Sequence, residues 1–570
     1  MTMKFYLKPV LWVLILGCFS LSVRAQAQQV SVQSPREVGE DSLKGWHLLD
    51  KQKDGFNGIS LSQAYQELQK TGKKPVTVIV AIIDSGIDTT HEDLKPVLWH
   101  NPGEVPGNGI DDDHNGYPDD VEGWNFVGGK DGRSVVKDSY EGARVYHELK
   151  GKYDNGGAID TSTDEKKWEY HEWVKVKARL ETDAANASMT VLALKMLYKN
   201  IPVADSVVRM SMGKEEYTGN DLMAYTPSNA GLSKAKNVMM ALFKGFDEMG
   251  ATNKTLTQEF DEYYEGQAMK ADEVDKAPED YRGEVVKDNY ADINDRYYGN
   301  ADLMGNAIFH GTHVAGIIGA DRTNHIGIDG IADNVRIMMI RALVDGDEHD
   351  KDIALAIRYA VDNGAKVINM SFGKGFSPQK AWVDEAVKYA ASKDVLIVQA
   401  AGNDHENIDS SDNFPTPNYI DGSGTAPNWI TVGASGDAKL GGLVAGFSNY
   451  GRQNVNVFAP GVKIYSTVLN NGYDFADGTS MASPVVVGIA ALLREYFPSL
   501  NAEQVKYVIE KSAVAPDEMV DIPGTDTQVS LSQLCTSGGI VNAYAAIKLA
   551  ETLKGDGKIP KTHLKRDKKD

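Results

Sequence analysis

Residues 76–84 read VTVIVAIID, and similar runs return at 335–343 (VRIMMIRAL), 365–373 (AKVINMSFG) and 395–403 (VLIVQAAGN). They are short, apolar and rich in Val and Ile, and most close on Gly, Asn or Asp, which predicts buried strands. Amphipathic helical patterns alternate with them. One spans 351–363 and is closed by Gly364. Another spans 378–392, with Ser377 and Pro378 in the N-cap and first helical positions. Near-continuous apolar strands separated by helices predict an α/β fold: a three-layer, mostly parallel sheet with helices on both faces.

Residues 129–300 break this rhythm. From Thr161 to about Asn200 the pattern is helical. Ser162 and Glu165 suit a capping box, Trp173, Val176 and Leu180 share a face, and Pro202 is the expected end. A second helix is expected over about 233–249, ending at Gly250. The region therefore reads as a helical insertion dividing one α/β domain into residues 75–128 and 301–550. Residues 28–74 form an N-terminal segment with a short helical pattern, ISLSQAYQELQK. The basic tail, 551–570, is polar enough to be disordered.

The 570 residues are 42% hydrophobic and 24% charged, the balance of a soluble globular protein. A formal net charge of -21 excludes nucleic acid as the expected partner. The first residues carry Lys4 and Lys8, then PVLWVLILGCFSLSV, then Ala25-Gln26-Ala27. That order predicts a signal peptide, 1–27, and an exported protein: periplasmic, cell-surface or extracellular. The alternative is a lipoprotein acylated at Cys18, against which Leu16 is a bulky neighbour. No later segment is long and apolar enough to predict a membrane span. Cleavage after Ala27 leaves Cys535 as the single cysteine, so no internal disulfide is expected.

In such sheets ligands bind beyond the carboxyl ends of the strands. Asp84, Ser371 and Asn403 fall at or next to those ends. Two predicted helix starts bring His310 (HGTHVAGIIGA) and Ser480 (GTSMASP) to the same edge. A carboxylate, an imidazole and a hydroxyl are the set needed for acyl transfer. GTSMASP taken alone is also an ordinary helix start, since Ser, Thr and Pro are preferred there. Chain order separates the folds that use this set. An α/β-hydrolase needs its histidine after the serine, and the histidine that follows Ser480 is His563, in the basic tail.

AIIDSGIDTTHEDL, HGTHVAGIIGA, INMSFG, AAGN and GTSMASP, in that order, resemble the signature blocks of the subtilisin-like serine peptidases, the subtilases. FSNYG (447–451) and APGVKIYST (459–467) extend the likeness. The resemblance implies a secreted serine endopeptidase acting on protein or peptide substrates through an acyl-enzyme. Asp84 would orient, His310 act as base, Ser480 attack, and Asn403 donate to the oxyanion hole. Ser371, Phe372 and Gly373 would pair with substrate backbone as an added strand. The resemblance leaves His313 as a packed helix residue and gives Ser483 and Pro484 the helix start. His91, His325, Asp88 and Asp93 read as structural, turn or surface residues. Val485 departs from relatives that often carry a histidine there. The alternative function is a non-catalytic binding or scaffold protein on the same fold.

A second constellation lies in DDDHNGYPDDVE, 111–122. Asp111, Asp113, Asn115, the Tyr117 carbonyl, Asp119 and Glu122 fit the spacing of a calcium loop, with Gly116 at its turn. The flanks are not helical, so the expectation is an EF-hand-like loop holding structural Ca2+. The insertion leaves the α/β domain after this loop and returns just before His310. It is therefore expected to rim the cleft and restrict substrates. The stretch between Ala27 and the first strand looks too short for the usual pro-domain of secreted relatives.

Overall fold

The computed structural model describes residues 40–154, 159–246, 249–305 and 308–559. The signal peptide, Cys18 and most of the basic tail lie outside the described residues. Seven strands form the central sheet: β1 (Val78–Asp84), β2 (Gly123–Asn125), β3 (Val335–Arg341), β4 (Val367–Met370), β5 (Leu396–Ala400), β6 (Trp429–Ser435) and β7 (Val457–Pro460). Their order is β2-β3-β1-β4-β5-β6-β7, and every pairing is parallel. Along β1, Val80 and Ile82 face one core, and Ala81 and Ile83 face another. Helices Phe309–Gly319 and Thr479–Tyr496 cover the first face, and helices Asp350–Asp362 and Lys380–Ser392 cover the second. This is the expected three-layer α/β architecture. After β3 the chain crosses β1 to place β4 on its other side, which opens a crevice at the carboxyl ends of β1 and β4.

Residues 40–74 are built into the domain. Trp46, Ile59, Leu61 and Leu68 join the first core. The Tyr65 hydroxyl donates to the Ile331 carbonyl at 2.9 Å, and the Asn542 amide donates to Ser60 Oγ at 2.9 Å. A hairpin of β8 (Ile464–Val468) and β9 (Gly472–Ala476) packs beside the His310 helix.

Between 129 and 300 the structure is largely helical. The longer helices are Glu141–Tyr153, Asp164–Met212, Ala230–Phe246 and Asn253–Asp272. One apolar cluster gathers Leu194, Ile201, Val208, Phe243 and Phe260. A second joins Tyr146, Trp173, Val176 and Leu180 to Phe376 of the α/β domain. Pro202 does not end its helix, which continues to Met212. An interior proline costs about 3 kcal/mol. Burial of Ile201 and Val208, at roughly 1.5–3 kcal/mol each, offsets it. The cap of that helix is Thr163, which accepts from the Lys166 N–H, rather than Ser162. Ser377 does not cap the helix at 380 either. Its hydroxyl donates to Asp350 at 3.0 Å and its N–H to Glu172 of the insertion at 2.9 Å, so the helix begins at Lys380.

Candidate active site

Beyond the carboxyl ends of β1, β4 and β5 lies a cleft of about 670 Å3, lined by Asp84, His310, Ser371, Asn403 and Ser480 among others. Asp84 ends β1 and is fully buried. Its Oδ1 accepts the Ser85 N–H at 2.7 Å. His310 stands in the first turn of its helix with Nδ1 at 2.8 Å from Asp84 Oδ1 and 3.0 Å from Oδ2. A carboxylate only accepts, so Nδ1 carries the proton and Nε2 is left as the basic nitrogen.

Ser480 occupies the second position of the helix Thr479–Tyr496, where backbone N–H groups have no acceptor within the helix. Gly478 precedes it with φ 152°, a conformation that favours glycine. Ser480 Oγ is turned onto the Ser371 carbonyl at 3.1 Å. Ser371 is itself fixed: its hydroxyl receives the Asn369 amide at 3.0 Å and donates to the Ser480 carbonyl at 2.9 Å. Ser483 donates to Asn369 Oδ1 at 2.9 Å, deep in the core. The two serines of GTSMASP thus part company, one into the cleft and one into the packing.

Asn403 follows β5. Its Oδ1 accepts from the Thr479 N–H and the Thr479 hydroxyl, both at 2.9 Å. A backbone N–H needs an acceptor, so the oxygen end of the amide is assigned without ambiguity. Nδ2 is then the donor end of an amide that lines the cleft. Ser371, Phe372 and Gly373 line the cleft beside it.

His313 sits away from this chemistry. It is buried, its Nε2 faces the Ile464 and Asp474 carbonyls at 3.1 and 3.2 Å, and burial pulls its pKa down to about 4. His91 and Asp93 are likewise internal: His91 Nε2 reaches the Gly472 carbonyl, and Asp93 accepts from Asn324 and Tyr473. Asp88 accepts from the Thr90 hydroxyl and the Asn470 N–H, His325 is exposed, and Val485 is fully buried.

The insertion supplies one wall of the cleft, through Tyr140, Arg179, Leu180, Asp183, Lys270 and Glu273. Sequence periodicity places such residues on helices but carries no signal for which of them reach a distant cleft.

In the acidic loop, one carboxylate oxygen each from Glu104, Asp111 and Asp113 lies within 4.8 Å of the others. Glu104 has no place in the loop spacing and was invisible to it. Asn115 Oδ1 accepts the Tyr117 N–H at 2.8 Å, and its amide donates to Asp113 and to Asp120. The Tyr117 ring packs against Trp124 and Tyr359. Asp119 is not brought to the group. Its two oxygens accept the N–H groups of Gly107, Asn108 and Gly109 and shape that turn. Glu122 faces His100 at 3.8 Å instead. Buried Asp120 accepts from Asn101, Asn115 and Tyr359, and burial pushes its pKa up to about 6.

The profile described as the subtilase family matches residues 76–539. Among curated relatives, the chain is 40% identical over 275 residues to a thermophilic serine proteinase of Bacillus sp. (strain AK1), covering 48% of this chain and 59% of that one. It is 36% identical over 242 residues to a cell wall-associated protease of Bacillus subtilis (strain 168), covering 42% and 24%. The chain thus spans less than two thirds of either. Subtilisin DY of Bacillus licheniformis is 39% identical over 207 residues, which cover 36% of this chain and 70% of that one. Since the family match runs from β1 to the residues beyond the Ser480 helix and encloses the whole insertion, the chain belongs to the subtilase family.

Proposed function

We propose that this protein is an exported serine endopeptidase with Ser480 as nucleophile, His310 as general base and Asp84 as the orienting acid. The observation that carries the reading is the His310 Nδ1 bond to buried Asp84, in the cleft that Ser480 also lines. Ser480 Oγ leaves the Ser371 carbonyl, turns toward His310 Nε2 and gives up its proton there while bonding to the scissile carbonyl carbon. The oxyanion is met by the Ser480 N–H, at the positive end of a helix, and by Asn403 Nδ2. Imidazolium then protonates the leaving amine as the C–N bond breaks, and water releases the acyl group by the reverse proton path. Ser371, Phe372 and Gly373 hold the substrate backbone as an added strand. A fluorophosphonate probe tests the reading: the full chain should label on Ser480, and Ser480→Ala should not. A folded, unlabelled wild-type chain would favour the binding-scaffold alternative.

Export rests on the Lys4–Ala27 pattern and on the cell-wall association that one relative's name records. Among the described residues no helix is long and apolar enough to cross a membrane.

For the acidic loop we propose structural Ca2+ on Glu104, Asp111 and Asp113, with Asn115 beside them. The fit rests on three hard oxygen donors that converge within 4.8 Å, their carboxylates held in place by loop N–H groups. Excess chelator should lower the melting temperature by roughly 2–4 °C or more. An unchanged melting curve removes the ion from the reading.

The insertion is proposed to narrow the substrate range by walling the cleft. Replacing residues 161–278 by a short linker should broaden cleavage of long peptides. Unchanged specificity in a folded deletion variant would defeat this role.

A further inference from the structure

The helix Asp164–Met212 is apolar on two opposite faces. Ala187, Leu194, Ile201 and Val208 are buried, and the last three pack with Phe243 and Phe260 inside the insertion. Two residues after each of the four stand Met189, Met196, Val203 and Met210. Two residues turn an α-helix through about 200°, so this second set lies on the far face. Together with Leu192 it is bare, each of the five side chains being between 55% and 74% exposed.

The bare set is regular. Its steps of three, four, seven and seven residues are the spacing of a coiled-coil seam. Ala178, Thr182, Ala185, Lys199 and Ser206 complete the seam, and Lys199 carries its one charge. From Met189 to Met210 the seam runs about 32 Å. The five side chains leave roughly 600 Å2 of apolar surface bare, the upper end of what a surface without a partner shows. Covered on two copies, this comes to about 1,200 Å2, the size at which specific interfaces begin.

We propose that this seam is a homodimer interface, in which the helix pairs antiparallel with the same helix of a second copy. The pairing does not depend on the peptidase reading. The occupant is a second copy because the seam complements itself. With the two-fold axis at residue 194, Leu192 faces the partner's Met196. Ala185 then faces the partner's Val203, and Ala178 faces the partner's Met210, small against large. Lys199 lies over the partner's Met189, its stem on apolar surface and its ammonium in water. The two Lys199 side chains stand ten positions apart along the pair, about 15 Å, beyond the screening length at physiological salt. A parallel pair in register would instead set Lys199 against Lys199. An anionic lipid surface suits the face less well, because Glu181 and Asp183 are exposed beside the seam as well as Lys195.

The test uses residues 28–570, the chain as exported. Sedimentation equilibrium should give twice the chain mass at micromolar concentration. Leu192→Glu puts a carboxylate into the seam from each copy and should raise the dissociation constant by about a hundredfold or more. Its far-UV circular dichroism should match the wild type, because Leu192 belongs to none of the insertion's apolar clusters. Cysteine pairs read the direction. Ala185→Cys mixed with Val203→Cys should give a disulfide-linked dimer on mild oxidation, and Ala185→Cys alone should not. A wild type that stays monomeric at every concentration overturns the interface, and so does one that binds phosphatidylserine vesicles as a monomer. A dimer that survives Leu192→Glu overturns it as well. Self-linking of Ala185→Cys overturns the antiparallel arrangement.

Discussion

Ser480→Ala should lower kcat on a cleaved peptide by on the order of a millionfold and leave KM nearly unchanged. The hydroxyl makes one contact in the resting cleft, to the Ser371 carbonyl, and that contact is given up before attack. On the proposed reading, ground-state binding runs instead through residues 371–373 and the cleft walls, which the substitution does not touch. What is lost exists in the transition state alone: the bond from Oγ to carbon and the proton handed to His310. The oxyanion donors survive, so a small rate above that of water should persist. The check is steady-state kinetics beside a melting curve. A loss of less than a hundredfold in a folded variant would remove Ser480 from the role of nucleophile.

Asp84→Asn should cost about ten-thousandfold in kcat. The reason lies in the second partner of the carboxylate. The Ser85 N–H sits 2.7 Å from Oδ1 and must keep an acceptor, which fixes the oxygen of an introduced amide on that side. The NH2 then occupies the Oδ2 position, 3.0 Å from His310 Nδ1, and donates to it. Nδ1 becomes an acceptor and the ring proton moves to Nε2, the nitrogen that has to receive the Ser480 proton. Nitrogen-15 NMR of the imidazole should report this change of tautomer in a chain of unaltered fold. If Asp84→Asn keeps the Nδ1–H tautomer, the orienting role fails.

The sheet was legible because its strands are almost wholly buried and read as near-continuous apolar runs, as in Val78–Asp84 and, apart from Arg336 and Arg341, in Val335–Arg341. The convergence of Asp84, His310, Asn403 and Ser480 on one cleft was legible because they lie at strand ends or helix starts, where position follows from local pattern. Failures came where a tertiary partner outbid a local rule. Pro202 stays inside its helix because Ile201 and Val208 are buried against two others. Ser377 leaves the cap position because Asp350 and Glu172 claim its polar groups. Asp119 fits the calcium spacing but spends both oxygens on three backbone N–H groups. Glu104 and the insertion wall gave no signal, because no local period records which distant side chains will meet.

The bond from Asn542 to Ser60 joins residues 482 apart in sequence, and β1 pairs with β3 across the entire insertion. Contacts of that range form slowly, because long loops must close before any of them is rewarded. A chain emerging amino end first can make β1 early, yet its first core stays open until the helix Thr479–Tyr496 and the closing helix Ala543–Ala550 arrive. The cleft that Ser480 and His310 both line is therefore completed among the last events of assembly. Order of synthesis becomes a timer that keeps the cleft unformed while most of the chain is still unfolded.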